Sequence, residues 1–124
     1  MHDPTPQQIE TLSNHLAPIA AEIINIFRQA GIPLGIVAKG ARRSASLQDE
    51  LVRARLSRTR HSAHLTGDAV DFDVLGVARD QLPREFFQTL GYVGELFGLV
   101  WGGRWTSPYD PGHFELPKHL RSSI

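Results

Sequence analysis

The chain has 124 residues, enough for one hydrophobic core and too few for two good ones, so a single domain over 1–124 is expected, with no separate second domain. It contains no cysteine, which excludes disulfides, thiolate nucleophiles and Cys-type zinc fingers and leaves any metal to His, Asp or Glu. Thirteen basic and thirteen acidic residues cancel, so no global field steers the protein to nucleic acid, and no segment nears the ~20 apolar residues that insertion across a bilayer needs.

The first residues, Met1-His2-Asp3-Pro4, show neither a basic stretch nor an apolar run, which predicts synthesis in the cytoplasm without a signal peptide. Thr5-Pro6-Gln7-Gln8 predicts a helix start, Thr5 capping and Pro6 in the first turn, with the helix running through Leu12. From Leu16 the residues Leu16, Ile19, Ala20, Ile23, Ile24 and Phe27 recur at helical spacing until Gly31 and Pro33 stop them, the pattern of an amphipathic core helix. Pro33 to Ala38 is a short apolar run with β-branched residues, which fits a buried strand that delivers Arg42 and Arg43 at its exit. Ser46 to Ala54 reads as a helix with Ser44 or Ser46 as cap. Arg53, Arg55, Arg58 and Arg60 then make a basic stretch, either a solvated loop or a rim for a carboxylate-bearing substrate.

Ala69 to Val74 alternates apolar and acidic residues, placing Asp71 and Asp73 on one strand face and Val70 and Phe72 on the other. Two carboxylates on one face need a neutralising group, and Gly67 can supply the positive φ of the turn before them. Pro83 to Phe97 carries Phe86, Phe87, Leu90, Val93, Leu96 and Phe97 at helical spacing, with Gly91 and Gly94 as weak points. Leu99 to Trp101 predicts a strand. After the Gly102-Gly103 pair, Arg104, Trp105 and a turn-rich Thr106 to Gly112, another strand follows from His113 to Leu116. Pro117 closes it, and the tail to Ile124 is expected to fray.

The residue types that carry chemistry are His64, Asp71 and His113. His2, His15 and His119 fall in a terminus, at a helix edge and beyond the last strand. The residues alone fit either a metal site or a hydrogen-bonded structural His–Asp pair. Asp110, three residues before His113, is placed to act as a general base from the same loop, and Asp110-Pro111-Gly112 is equally a good turn. Arg42 or Arg43 is placed to stabilise an oxyanion. Trp101 and Trp105, around the double glycine, fit either cleft walls or packing aromatics.

Taken together, Ser62-x-His64-x-x-Gly67-x-Ala69-Val70-Asp71, Trp101-Gly102-Gly103-x-Trp105 and Asp110-x-x-His113-Phe114-Glu115 resemble the zinc D-alanyl-D-alanine carboxypeptidase and L-alanyl-D-glutamate endopeptidase family, above all its single-domain phage endolysins. The resemblance spans about residues 33 to 116. It implies an α+β fold like that of the Hedgehog domain and the D-Ala-D-Ala peptidases, a small central antiparallel sheet with helices packed on it. It further implies Zn2+ as cofactor on His64, Asp71 and His113, and Asp110 as general base and acid. An arginine serves as oxyanion stabiliser; counting from a Gly-x-Arg pattern selects Arg42 and counting back from Gln48 selects Arg43, which is preferred. Ser57, Arg58, Ser62, Trp101 and Trp105 make up the expected substrate-binding surface. The implied partner is the stem peptide of bacterial peptidoglycan, cut by a monomeric enzyme between L-alanine and D-glutamate after holin-type release to the wall. The alternatives are a D,D-carboxypeptidase or dipeptidase and, further off, a zinc-binding module without catalysis.

Overall fold

The computed structural model describes residues 3–36, 39–55 and 62–121. Among the described residues there are four helices, α1 (Thr5–Thr11), α2 (Leu16–Gln29), α3 (Ala45–Arg53) and α4 (Arg84–Leu96), and four strands, β1 (Leu34–Ile36), β2 (Ala69–Val74), β3 (Val100–Trp101) and β4 (His113–Glu115). The strands form one antiparallel sheet in the order β1-β2-β4-β3. This is the α+β architecture expected, with β2 and β4 as the central pair.

Sequence periodicity explains most of the packing. The apolar stripe of α2 buries Leu16, Ala20, Ile23, Ile24 and Phe27, and they join Val70, Phe72 and Phe114 of the central strands in one core cluster. Phe72 and Phe114 lie with ring centroids 5.6 Å apart. Gly91 and Gly94 do not break α4. A Cβ at Gly91 would lie 2.3 Å from the Trp101 ring and one at Gly94 2.4 Å from the Phe114 ring, so glycine lets the helix press onto β3 and β4. The helix-propensity cost of about 1 kcal/mol per glycine is offset by that contact.

Two local expectations need correction, and at a third place the structure selects between two expected caps. Thr5 is not the cap of α1: Asp3 Oδ1 accepts the Thr5 N–H at 2.9 Å. The buried Thr5 hydroxyl instead accepts the Ile36 N–H at 3.0 Å and ties α1 to the edge strand. The chain after Pro117 is ordered through Arg121, where fraying was expected. Lys118–Leu120 forms a 3-10 turn, and the Arg121 guanidinium binds the Leu116 carbonyl at 2.9 Å and the Glu115 carboxylate. At α3, the cap is Ser44 rather than Ser46, its side chain accepting the Leu47 N–H at 3.0 Å. Val37 and Ala38, the end of the first expected strand, lie outside the described residues, as do Ser57, Arg58 and Arg60.

Candidate metal centre

Strand register builds half of the site. The antiparallel β2–β4 pairing sets Asp71 directly opposite His113, a cross-strand relation that brings side chains within reach of one another. His113 Nδ1 lies 2.9 Å from Asp71 Oδ1. His64 arrives from a 3-10 turn, Ala63–Thr66, that leads into β2. The Ser62 hydroxyl accepts the His64 N–H at 3.1 Å at the start of that turn, and Gly67 ends it at φ 74, where a side chain would be strained. One ligand atom from each of His64, Asp71 and His113 lies within 4.8 Å of the others.

The donor atoms fit a cation. His64 Nδ1 lies 2.6 Å from the Ala41 carbonyl oxygen, an acceptor, so the neutral ring carries its proton there and leaves a lone pair on Nε2. That Nε2 is buried and makes no hydrogen bond. The facing Asp71 Oδ2, 3.2 Å away, is also an acceptor. Two lone pairs turned toward each other in a buried place call for a positive charge between them, and a set of two imidazoles and one carboxylate suits Zn2+.

The electrostatics follow from the same contacts. Burial acts to raise the Asp71 carboxyl, but the groups facing it, the hydrogen-bonded His113 ring first, outweigh it and hold Asp71 well below the usual carboxylate range. Burial acts to depress His113, yet hydrogen bonds to Asp71 and Glu115 push it up to about 9. Asp110 is raised, first by burial and then by the negative charge of Asp71. Its loop is seated on Gly102, whose carbonyl accepts the Asp110 N–H at 3.1 Å. A Cβ at Gly102 would stand 2.3 Å from the Asp110 carbonyl oxygen. Asp110 Oδ1 also has Arg79 3.9 Å away, while Arg79 Nε, 3.4 Å from Asp73, answers the second carboxylate of β2.

The two arginines separate cleanly. Arg43 turns to the cluster, its Nη2 2.9 Å from Asp71 Oδ2 and its Nη1 3.2 Å from Gln48 Oε1. Arg42 turns to the chain, donating to the Thr11 and Thr66 carbonyls at 2.9 Å each. Trp105 lies beside His113, ring centroids 5.1 Å apart. Trp101 is 7% exposed and packed in the core, with its indole N–H donating to the Pro111 carbonyl at 2.8 Å. Its edge reaches a cleft of about 610 Å³ lined also by Arg84, Tyr92 and Tyr109, and none of His64, Asp71, Asp110 and His113 lines that cleft. The side chain of Ser62 caps the His64 turn. Ser57 and Arg58 lie outside the described residues.

Glu115 was not among the expected site residues. Its Oε1 lies 2.7 Å from His113 Nε2, and Arg121 pairs with it from behind. The signal was present in His113-Phe114-Glu115, because residues two apart on a strand share a face.

Comparison with known structures bears on the fold. The fold matches the L-Ala D-Glu endopeptidase ChiX of Serratia marcescens with a TM-score of 0.66 at 24% identity, covering 93% of this chain and 87% of that one. It also matches VanY, a vancomycin-resistance D,D-pentapeptidase from a VanB-type cassette solved with Zn(II), with a TM-score of 0.58 at 16% identity over 85% of this chain and 72% of that one. At these identities the likeness defines the fold, a small α+β peptidase fold. No curated protein sequence matches significantly. A family model described as D-alanyl-D-alanine carboxypeptidase, of the M15 peptidases, matches residues 55–116, half of the chain. The chain belongs to this family; it is a metallopeptidase with Zn2+ as its cofactor, acting on peptidoglycan peptides.

Proposed function

We propose that the protein is a zinc-dependent endopeptidase that hydrolyses the L-alanyl-D-glutamate bond of the peptidoglycan stem peptide, as a lysin of the bacterial wall. The observation that carries the hydrolytic reading is the buried His64–Asp71–His113 cluster, with its unbonded His64 Nε2, beside a carboxyl at Asp110 that burial has raised. The bond choice is supported by the fold shared with an L-Ala D-Glu endopeptidase and by the family resemblance, in which Asp at position 110, where many dipeptidase members carry Glu, is like the endolysin branch.

His64, Asp71 and His113 would hold zinc, which when bound would supply Lewis acidity and a water of pKa lowered to ~7. Asp110 takes a proton from the attacking water and delivers it to the leaving amine nitrogen; its raised pKa suits a group that must both accept and release a proton. Arg43, anchored by Gln48 and Asp71, contributes positive charge where the carbonyl oxygen becomes an oxyanion. Trp105, against His113, forms one wall beside the reacting bond. Arg58 is assigned to the free carboxylate of D-glutamate, within the basic stretch from Arg53 to Arg60.

A second reading, cleavage of terminal D-alanyl-D-alanine, is favoured by the description of the matching family model. Digestion of purified peptidoglycan by the zinc-loaded protein separates the two. New N-terminal D-glutamate is expected, free D-alanine supports the second reading, and release of neither product, with His64→Ala as the control, refutes both.

A further inference from the structure

His113 is held from behind by two residues that take no part in the proposed hydrolysis. On β4, His113 and Glu115 share a face. His113 Nε2 lies 2.7 Å from Glu115 Oε1, and the other oxygen of that carboxylate pairs with the Arg121 guanidinium. Arg121 is fixed in turn by its Nε, which donates to the Leu116 carbonyl at 2.9 Å. The side chains of His113 and Glu115 are 8% and 15% exposed, so water replaces these contacts poorly.

The direction of the chain follows from donor and acceptor chemistry. An ionised carboxylate only accepts hydrogen bonds, and a neutral imidazole has one N–H to give. His113 stands between two carboxylates, Asp71 at Nδ1 (2.9 Å) and Glu115 at Nε2 (2.7 Å), and the neutral ring that binds a metal keeps one proton, for one of these two nitrogens. A proton on Nδ1 points into the cluster and blocks the lone pair that a metal needs; a proton on Nε2 frees it.

We propose that Glu115 and Arg121 are positioning residues that hold the His113 proton on Nε2, present Nδ1 to the metal, and so set the zinc affinity of the centre. Glu115 accepts the Nε2–H, and Arg121 fixes the orientation of Glu115. The inference rests on the metal centre assigned above. It also makes the segment after Pro117 part of that centre, although it lies beyond the last strand.

Zinc affinity of the full chain, read by competition with a chromogenic chelator at fixed pH, tests this without any substrate. Glu115→Ala is expected to weaken zinc binding ~10–100-fold, the range for loss of a carboxylate behind a ligating histidine. Glu115→Gln, whose Oε1 still accepts the Nε2–H, is expected to recover part of that loss, and keeps the side-chain volume should the alanine variant fail to fold. Arg121→Ala is expected to weaken binding less than Glu115→Ala, with Arg121→Lys restoring part of it. Imidazole nitrogen NMR of the zinc-loaded wild type should show the His113 proton on Nε2 and the metal on Nδ1, a signature that a purely structural contact does not predict. A metal on Nε2, or wild-type zinc affinity in folded Glu115→Ala or Arg121→Ala, overturns the proposal. Failure of the wild type to bind zinc would instead remove the metal centre itself, and zinc binding without peptide cleavage would remove only the hydrolytic reading.

Discussion

The central strand pair has two faces of opposite chemistry. On one, Val70, Phe72 and Phe114 are fully buried among the helices. On the other, offset by one residue, Asp71, His113 and Glu115 meet His64, Arg43 and Arg121. Burial of the first face stabilises the chain without any partner from outside. The second face gathers charge in a poorly solvated place, which costs desolvation even when each group finds a counter-charge, and it still leaves His64 Nε2 unbonded. The apolar face therefore acts as the frame, and the polar face is retained for the cation it can hold.

That contrast can be broken from either side. Phe114→Ala removes a ring packed against Phe72 and Gly94 and is expected to cost about 3–5 kcal/mol in urea unfolding, impairing the site along with the frame because β4 carries both. Asp110→Asn should do the reverse, lowering peptide hydrolysis by ~100-fold or more while the thermal midpoint and zinc affinity stay near wild type. Equal losses of stability and rate in that variant would show that Asp110 acts through the loop seated on Gly102 and not as the base. Zinc at a hundred times its Kd should stabilise the protein by about 2.7 kcal/mol. Chelation should remove that gain, and His64→Ala should abolish it.

The pH dependence sharpens the same contrast. In the metal-free protein, His113 has its folded pKa raised from 6.5 to about 9, so its contribution is complete below about 6.5 and lost as pH rises through 9. Asp71 has its pKa lowered from 3.8, so its contribution is present above that value and lost as pH falls through the depressed folded pKa. Metal-free protein should therefore be most stable between about 4 and 6.5. Zinc affinity should climb from pH 6.5 to 9 as the proton on His113 is displaced more easily. A urea midpoint independent of pH from 6 to 9.5 in chelator would contradict the His113 assignment. The smallest effect is expected at Arg42→Ala, about 1–2 kcal/mol of stability from bonds to the Thr11 and Thr66 carbonyls, with little change in kcat.

Helix α2, strand β2 and the alternation of Asp71 with Phe72 were legible in the sequence because periods of 3.6 and 2 are set locally, by which residues face the core. His64, Asp71 and His113 could be named as candidates for the same reason: few residue types hold a metal in a chain without cysteine. Their convergence was not legible. It depends on the register that sets Asp71 opposite His113 and on the Ala41 carbonyl that orients His64, contacts between residues 42 and 23 positions apart. The choice between Arg43 and Arg42 likewise rests on where the loop before α3 passes β2, and adjacent residues on an irregular loop carry no period to separate them. The tail followed the same rule, since nothing local to Arg121 announces that it folds back onto Glu115. Composition and spacing determined the elements, the donor types and the chemistry available; only the packed chain decided which donors meet and which stand behind them, because long-range contact is fixed by register and burial together.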